Sequence, residues 1–416
     1  MVIPLPPQNG STPGAMTCAN EDGVKVYRLP AGIFEMNEQL LVPERTSLVG
    51  ARAPNVVSDL GMTPDWSEQT LFLATRGATD YHMNYCLAQD MVSTRVGFVL
   101  SSYVSVYNLS FQGIDTIRPG DNGALCGGGA FETKGCAAND CRASNVNNGG
   151  SDGIGSVHVT IENVRINDFH YAEDRNRIGA SIEGNYDCKG GCCFCKPNEV
   201  RSSQVGVWVP ETRNPEGTHD LVLRNVVSRS TQADGINLHG YVNNTLVENT
   251  LVENTGDDVF VLWGAARVPE NVVFRDCVAV NPGILRPNWY GNCAATYGLK
   301  SVVFERITCK APTLAQPIPD PADGVTLRID TSMFVVFTSF GGVYPANNSI
   351  RISSFVFQDL LGNPYTPRNG SMNQPMVGRM AWTHADADKG DVDAPFYFPS
   401  QAQQVNVYVT GAPIAA

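Results

Sequence analysis

Leu221-Val222-Leu223-Arg224-Asn225-Val226 is followed 24 residues later by Thr245-Leu246-Val247-Glu248-Asn249-Thr250. Val272-Val273-Phe274-Arg275-Asp276-Cys277 comes 27 residues after that, and Val302-Val303-Phe304-Glu305-Arg306-Ile307 another 30 on. Earlier copies stand at Val104-Ser105-Val106-Tyr107-Asn108-Leu109 and Val159-Thr160-Ile161-Glu162-Asn163-Val164. Each copy is a short aliphatic strand that runs into a turn residue, most often Asn or Asp. One strand theme per mid-twenties period marks a solenoid, in which each repeat buries its apolar face only against its neighbours. A right-handed parallel β-helix, all-β and a single domain over 1–416, is expected. Its coils stack at about 4.8 Å, the inter-strand spacing. Asn residues at the repeated turn are expected to form an inward ladder. A β-sandwich with chance strand similarity is the plainer alternative.

The expected coils begin early, after an N-terminal extension at 1–20. Val24-Lys25-Val26-Tyr27-Arg28-Leu29, Leu40-Leu41-Val42 and Thr46-Ser47-Leu48-Val49 are strand-like runs cut by Pro and Gly. Two stretches, 120–156 and 171–203, break the rhythm and read as Cys-rich loop insertions of the kind that wall a groove. The segment 312–416 reads as less regular coils. With 43% hydrophobic residues, only 17% charged and 40 Gly, the composition suits many short strands and turns.

The net charge of -12 and the absence of a basic stripe argue against nucleic acid, which needs concentrated positive charge. The same charge disfavours a polyanionic sugar and favours a neutral glycan. No run of 18 apolar residues is present, so no membrane partner is expected. The 12 Cys and the sequons at Asn9, Asn108, Asn243, Asn347 and Asn369 favour a secreted, oxidised protein. Met1-Val2-Ile3-Pro4 does not open a signal peptide, so export by another route, or a mature start, is expected.

The most informative chemistry lies at Asp234-Gly235-Ile236-Asn237-Leu238-His239 and Asn254-Thr255-Gly256-Asp257-Asp258. Asp234 and Asp257 are one coil apart, so Asp234, Asp257 and Asp258 are expected to share one patch. Crowded carboxylates raise at least one pKa, leaving one group protonated while another is ionised. Glycoside hydrolysis needs that pairing. Two adjacent Asp cannot both leave one face of a regular strand, so a turn or bulge at Gly256 is expected. The plain alternative is a solvated turn or a calcium site.

This stretch resembles glycoside hydrolase family 87, the α-1,3-glucanases and mycodextranases. The Asp-Gly-Ile-Asn and Asn-Thr-Gly-Asp-Asp segments carry the likeness, with Val205-Gly206-Val207-Trp208-Val209 upstream and Asn292-Cys293-Ala294-Ala295-Thr296-Tyr297-Gly298 downstream. The likeness covers about residues 204–300. It departs where Val259-Phe260-Val261-Leu262-Trp263 replaces the family's Gly-Leu-Ala-Met-Trp. The resemblance implies an endo-acting, inverting hydrolase of a neutral α-glucan, with α-1,3-glucan first, acting as a monomer on a polysaccharide. Asp234, Asp257 and Asp258 are then catalytic. By analogy with polygalacturonases, Asp257 is the acid and the other two hold and deprotonate water. Inversion implies a carboxyl separation of roughly 6.5–9.5 Å.

His239, Trp263, Asn237, Trp208, Tyr290 and Tyr297 are the candidate sugar contacts, since rings suit the apolar faces of glucose. Each has a packing role as its bland alternative. No metal or other cofactor is implied, although Asp- and Asn-rich turns leave a structural calcium open. Cys188, Cys192, Cys193 and Cys195 match no standard metal spacing and read as disulfides. Among Cys277, Cys293 and Cys309 one pair is expected to bridge coils. The alternatives are a dextranase- or polygalacturonase-like hydrolase, and a non-catalytic glycan-binding adhesin. Against polygalacturonase, no Arg-Ile-Lys segment or Gly-His-Gly turn occurs.

Overall fold

The computed structural model describes residues 16–36, 39–52, 68–74, 97–113, 129–135, 154–167, 200–203, 205–212, 214–231, 233–265, 267–283, 290–310, 330–336, 342–358 and 407–410, with short strands at 115–117, 186–187, 194–195, 318–319 and 326–327. Among these residues the chain is all-β, with no helix. Two large sheets dominate, one of fifteen strands and one of eight.

The repeated theme decides the pairing. Val222 pairs in parallel with Leu246, Leu246 with Val273, and Val273 with Val303, so the sequence copies are direct neighbours in space. In the eight-stranded sheet Val207, Ile236, Phe260, Ala294 and Phe334 stack in the same way. The chain alternates between the two sheets, and each visit pairs in parallel with the one before. That is a solenoid-like stack. The alternation along Leu221–Leu223, buried then half-buried then buried, sends every second side chain inward. Inside, aromatic rings continue the stack. Phe98 lies on Phe131 with centroids 5.0 Å apart, and Phe274 on Phe304 at 5.1 Å.

The turn residues explain how a 14-residue strand such as Thr218–Thr231 can bend around the core. Asp220, Asn225 and Ser230 have φ of 56°, 53° and 51°. One coil on, Asn244, Asn249 and Asn254 repeat this at 50°, 48° and 58°, and Asn271, Asp276 and Asn281 do so again. Asn and Asp tolerate this left-handed conformation because their short side chains bond locally. Three such corners, five residues apart, divide each pass into straight segments.

Asn163 donates to Asn108 at 3.1 Å, Asn225 to Asn163 at 3.0 Å and Asn249 to Asn225 at 2.6 Å. The expected ladder therefore exists, but it is not inward. These side chains are half-buried on the corner, because the left-handed φ of each Asn interrupts the strand alternation that would otherwise send it inward. Beside it runs an alternating row of charge. Arg224 contacts Glu162 and Glu248, and Arg275 contacts Glu248 and Glu305.

Cys293 and Cys309 form a disulfide that joins the Tyr290–Tyr297 strand of one sheet to the Ser301–Lys310 strand of the other. Cys277 is a buried free thiol. Its burial pushes the pKa up to about 12, which makes it unreactive. Cys126, Cys136, Cys141, Cys188, Cys192 and Cys193 lie outside the described residues. So do most of the two Cys-rich stretches and of 359–416, but Gly129–Thr133, inside the stretch expected to be a loop insertion, is a buried strand of the eight-stranded sheet, because its Ala-Phe core fits between the neighbouring strands.

Candidate active site

Asp234, Asp257 and Asp258 stand just before two neighbouring strands of the eight-stranded sheet, Ile236–His239 and Phe260–Trp263. Thr231 and Thr255 are themselves paired in parallel. Each holds the start of its own loop, Thr231 Oγ1 donating to the Ala233 carbonyl at 3.1 Å and Thr255 Oγ1 to the Asp257 carbonyl at 2.6 Å. Gly235 then passes against the neighbouring strand. A Cβ there would lie 2.2 Å from Val252 Cγ1 and 2.9 Å from the Val259 carbonyl oxygen. Close approach therefore demands the glycine after Asp234.

The pairing of Ile236 with Phe260 places Asp234 beside Asp258 rather than Asp257. The backbone N–H of Asp258 donates to Asp234 Oδ1 at 3.2 Å, and Gly235 N–H donates to the Asp258 carbonyl at 2.9 Å. Residues 256–259 are bends between two strands, so Asp257 and Asp258 are free of strand alternation, as the sequence required. Gly256 does not take a positive φ; the left-handed residue is Asn254.

One carboxylate oxygen of each Asp lies within 4.8 Å of those of the other two. This corrects the expected separation of roughly 6.5–9.5 Å. The stack of neighbouring strands, at about 4.8 Å spacing, fixes the shorter distance. All three are buried, Asp258 most at 2% exposed, then Asp234 at 7% and Asp257 at 9%.

Asp258 is held from two directions. Its Oδ1 accepts from the Asn292 backbone N–H at 2.8 Å and from Asn292 Nδ2, and its Oδ2 accepts from the Tyr297 hydroxyl at 2.7 Å. Burial, with the Asp257 and Asp234 charges, pushes its pKa well above the ordinary carboxylate value, against the lowering effect of the Tyr297 and Asn292 bonds. Asn237 Nδ2 donates to Asp234 Oδ2 at 2.7 Å. Three convergent carboxylates are also an oxygen-ligand set suited to a hard divalent cation.

His239, Trp263 and Tyr297 are aligned across three adjacent strands. The His239 ring lies flat on Trp263, with centroids 3.9 Å apart and planes 4° apart. Burial alone pulls the His239 pKa down to about 3, so the ring is neutral. Trp263 is half-buried, and Tyr297 is buried against Asp258. Trp208 is enclosed with Val205 and Ala233, which is a packing position. Tyr290 pairs through its backbone with Asp330, and its side chain lies outside the described residues.

Asn292 was not among the sequence candidates. It sits 34 residues after Asp258, where the intervening coil has lengthened beyond the repeat. Its place is set by pairing of Phe260 with Ala294, which puts Asn292 over Asp258.

No protein-family model and no curated protein matches the sequence. Solved structures do resemble the fold. The catalytic domain of a GH87 α-1,3-glucanase in complex with tetrasaccharides matches at 13% identity and a TM-score of 0.39, over 82% of this chain and 52% of that one. The catalytic unit of a thermostable GH87 α-1,3-glucanase from Streptomyces thermodiastaticus matches at 14% identity and 0.37, over 80% and 48%. A surface adhesin of Streptococcus pneumoniae matches at 12% identity and 0.35, over 81% and 79%. The chain spans about half the length of the glucanase chains it matches.

Proposed function

We propose that the protein is a secreted glycoside hydrolase that cuts a neutral α-glucan internally, with α-1,3-glucan first, on a right-handed parallel β-helix. The observation that carries this is the burial of three mutually close carboxylates beside a row of rings. A binding surface gains nothing from crowding three buried carboxylates, which costs free energy unless a proton is shared among them. Acid–base cleavage of a glycosidic bond uses that shared proton.

Asp257, the least buried of the three, gives its proton to the leaving oxygen. Asp234 and Asp258 hold a water, and Asp258 takes its proton once ionised, above the pKa that burial and the neighbouring carboxylates have raised. The water oxygen bonds to the anomeric carbon as the bond to the leaving oxygen breaks. Both Asp258 oxygens are engaged by Asn292 and Tyr297, and both Asp234 oxygens by Asn237 and the Asp258 N–H. Carboxylates so restrained suit water activation better than nucleophilic attack.

Reducing-sugar release from α-1,3-glucan, nigeran, dextran and polygalacturonate tests the proposal. Release from a neutral α-glucan is expected, with Asp257→Asn lowering kcat at least about a hundredfold. No release from any glycan, or an unchanged variant, would sink it and favour the adhesin alternative. The anomer of the first product, read by NMR, tests inversion.

A further inference from the structure

Asn292 Oδ1, on the residue that bonds Asp258, has no hydrogen-bond partner, and on the strand after Asp234 two more buried polar atoms have none: Asn237 Oδ1 and His239 Nδ1. Asn237 and His239 are 7% and 2% exposed. A buried polar atom without a partner costs free energy, so each such atom in a folded protein demands an explanation. These two share a strand, Ile236–His239, and are two residues apart, so their side chains leave the same face about 7 Å from each other. That span is close to the width of one hexose ring. On one side Asn237 is tied through Nδ2 to Asp234. On the other His239 is fixed flat against Trp263, which retains partial exposure.

Resting on the hydrolase proposal, we infer that Asn237 and His239 form a specificity subsite that accepts hydrogen bonds from the hydroxyls of one neutral hexose next to the scissile bond. The amide oxygen is an acceptor by nature. The imidazole is neutral and offers one acceptor nitrogen, whose tautomer the bound hydroxyl fixes. A hydroxyl can donate to both atoms. A uronate carboxylate has no proton to give, and it would also face Asp234 at short range. A uronate keeps its ring hydroxyls, so the subsite disfavours an acidic sugar whose carboxylate faces these acceptors and Asp234, separately from the net charge of the chain. Sites built to pair with a substrate hydroxyl reject analogues that lack it far more strongly than apolar pockets reject a missing methylene.

The test uses His239→Phe, which keeps a flat ring against Trp263 and deletes the acceptor, and His239→Gln, which restores a polar atom. With a neutral α-glucan oligosaccharide, His239→Phe is expected to raise KM about tenfold while kcat changes less than about threefold, and His239→Gln to recover part of the loss. In the Asp257→Asn background the same tenfold loss should appear in the Kd measured by calorimetry. The free His239→Phe protein is expected to melt at a higher temperature, because it no longer buries an unpaired nitrogen. A residue that only supports the fold would show the opposite, a lower Tm with affinity following it down. Unchanged KM, a lower Tm, or equal binding of an oligogalacturonate overturns the inference while leaving hydrolysis intact. Absence of hydrolysis in the wild type overturns the hydrolase proposal instead.

Discussion

Asp258 carries the charge problem of the site. Among its four close polar neighbours, Tyr297 and Asn292 stabilise the ionised form, while burial and the other two Asp oppose it. If Asp258 accepts the water's proton, activity requires it to be ionised, so kcat/KM rises as pH climbs through the cluster's raised pKa. The acidic limb should therefore lie well above the ordinary carboxylate range of about 4. Tyr297→Phe removes a bond that lowers this pKa, so the pKa goes higher still. The acidic limb of the kcat/KM profile is expected to move up by about one pH unit, as loss of a charge-assisted hydrogen bond of roughly 1.5 kcal/mol requires. A limb that stays in place would mean that Tyr297 serves the sugar and not Asp258. At this scale much was legible in the sequence. Asp234, Asp257 and Asp258 announced their proximity through a one-coil spacing. Asn292 did not, because its coil is ten residues longer than the 24-residue repeat, 34 against 24. Trp208 and Trp263 looked alike as aromatic residues near acids, and only packing separates the enclosed one from the half-exposed one.

Between residue and molecule, the unit that matters is the corner. A strand of alternating apolar residues does not by itself say where it bends, and the Asn or Asp closing each sequence copy supplies that information. Asn225 is the central rung: it donates to Asn163, accepts from Asn249 and has φ of 53°. Asn225→Ala loses both ladder bonds and the local side-chain bonding that lets Asn tolerate the left-handed region, with an expected cost of about 2–3 kcal/mol. Asn225→Gly keeps the conformation and loses only the bonds, so about half that cost is expected. Urea denaturation of the two variants measures the split, and equal losses would place the ladder's value in its hydrogen bonds alone. The sequence showed the ladder but misjudged its direction. The eye takes Asn after a valine run as the next inward residue, yet one left-handed φ rotates it out. The Glu162, Arg224, Glu248, Arg275 and Glu305 row emerges only once the strands are stacked, when the position before each corner alternates in charge from coil to coil. Exposed pairs of this kind contribute little each, so they serve the register of stacking more than its depth.

The described residues form a stack in which each coil contacts mainly its neighbours, and the site spans three of them through Asp234, Asp258 and Asn292. Such stacks can open locally, because no single contact ties distant coils together. The Cys293–Cys309 disulfide acts against this where it matters. Cys293 follows Asn292 directly, and its partner lies in the opposite sheet, so the bond pins the strand that positions Asp258 to the far wall of the core. It closes a loop of 16 residues. Loop-closure entropy for that length gives a stabilisation of about 3 kcal/mol. A Cys293→Ala, Cys309→Ala double variant is therefore expected to lose about 3 kcal/mol in denaturant unfolding. The loss should be uneven, because the coil is held on both faces by parallel pairing of Phe260 with Ala294 and of Ala294 with Phe334. Hydrogen exchange is expected to quicken first at the amides of 292–297 and 301–309, with the coils around Val222 and Leu246 protected as before. Activity at low temperature should persist, because the hydrogen bonds from Asn292 and Tyr297 to Asp258 survive in the closed state, and it should fail on heating before global unfolding. Simultaneous loss of protection along the whole stack would instead show that the coils unfold as one cooperative unit, and that the disulfide stabilises all of them equally.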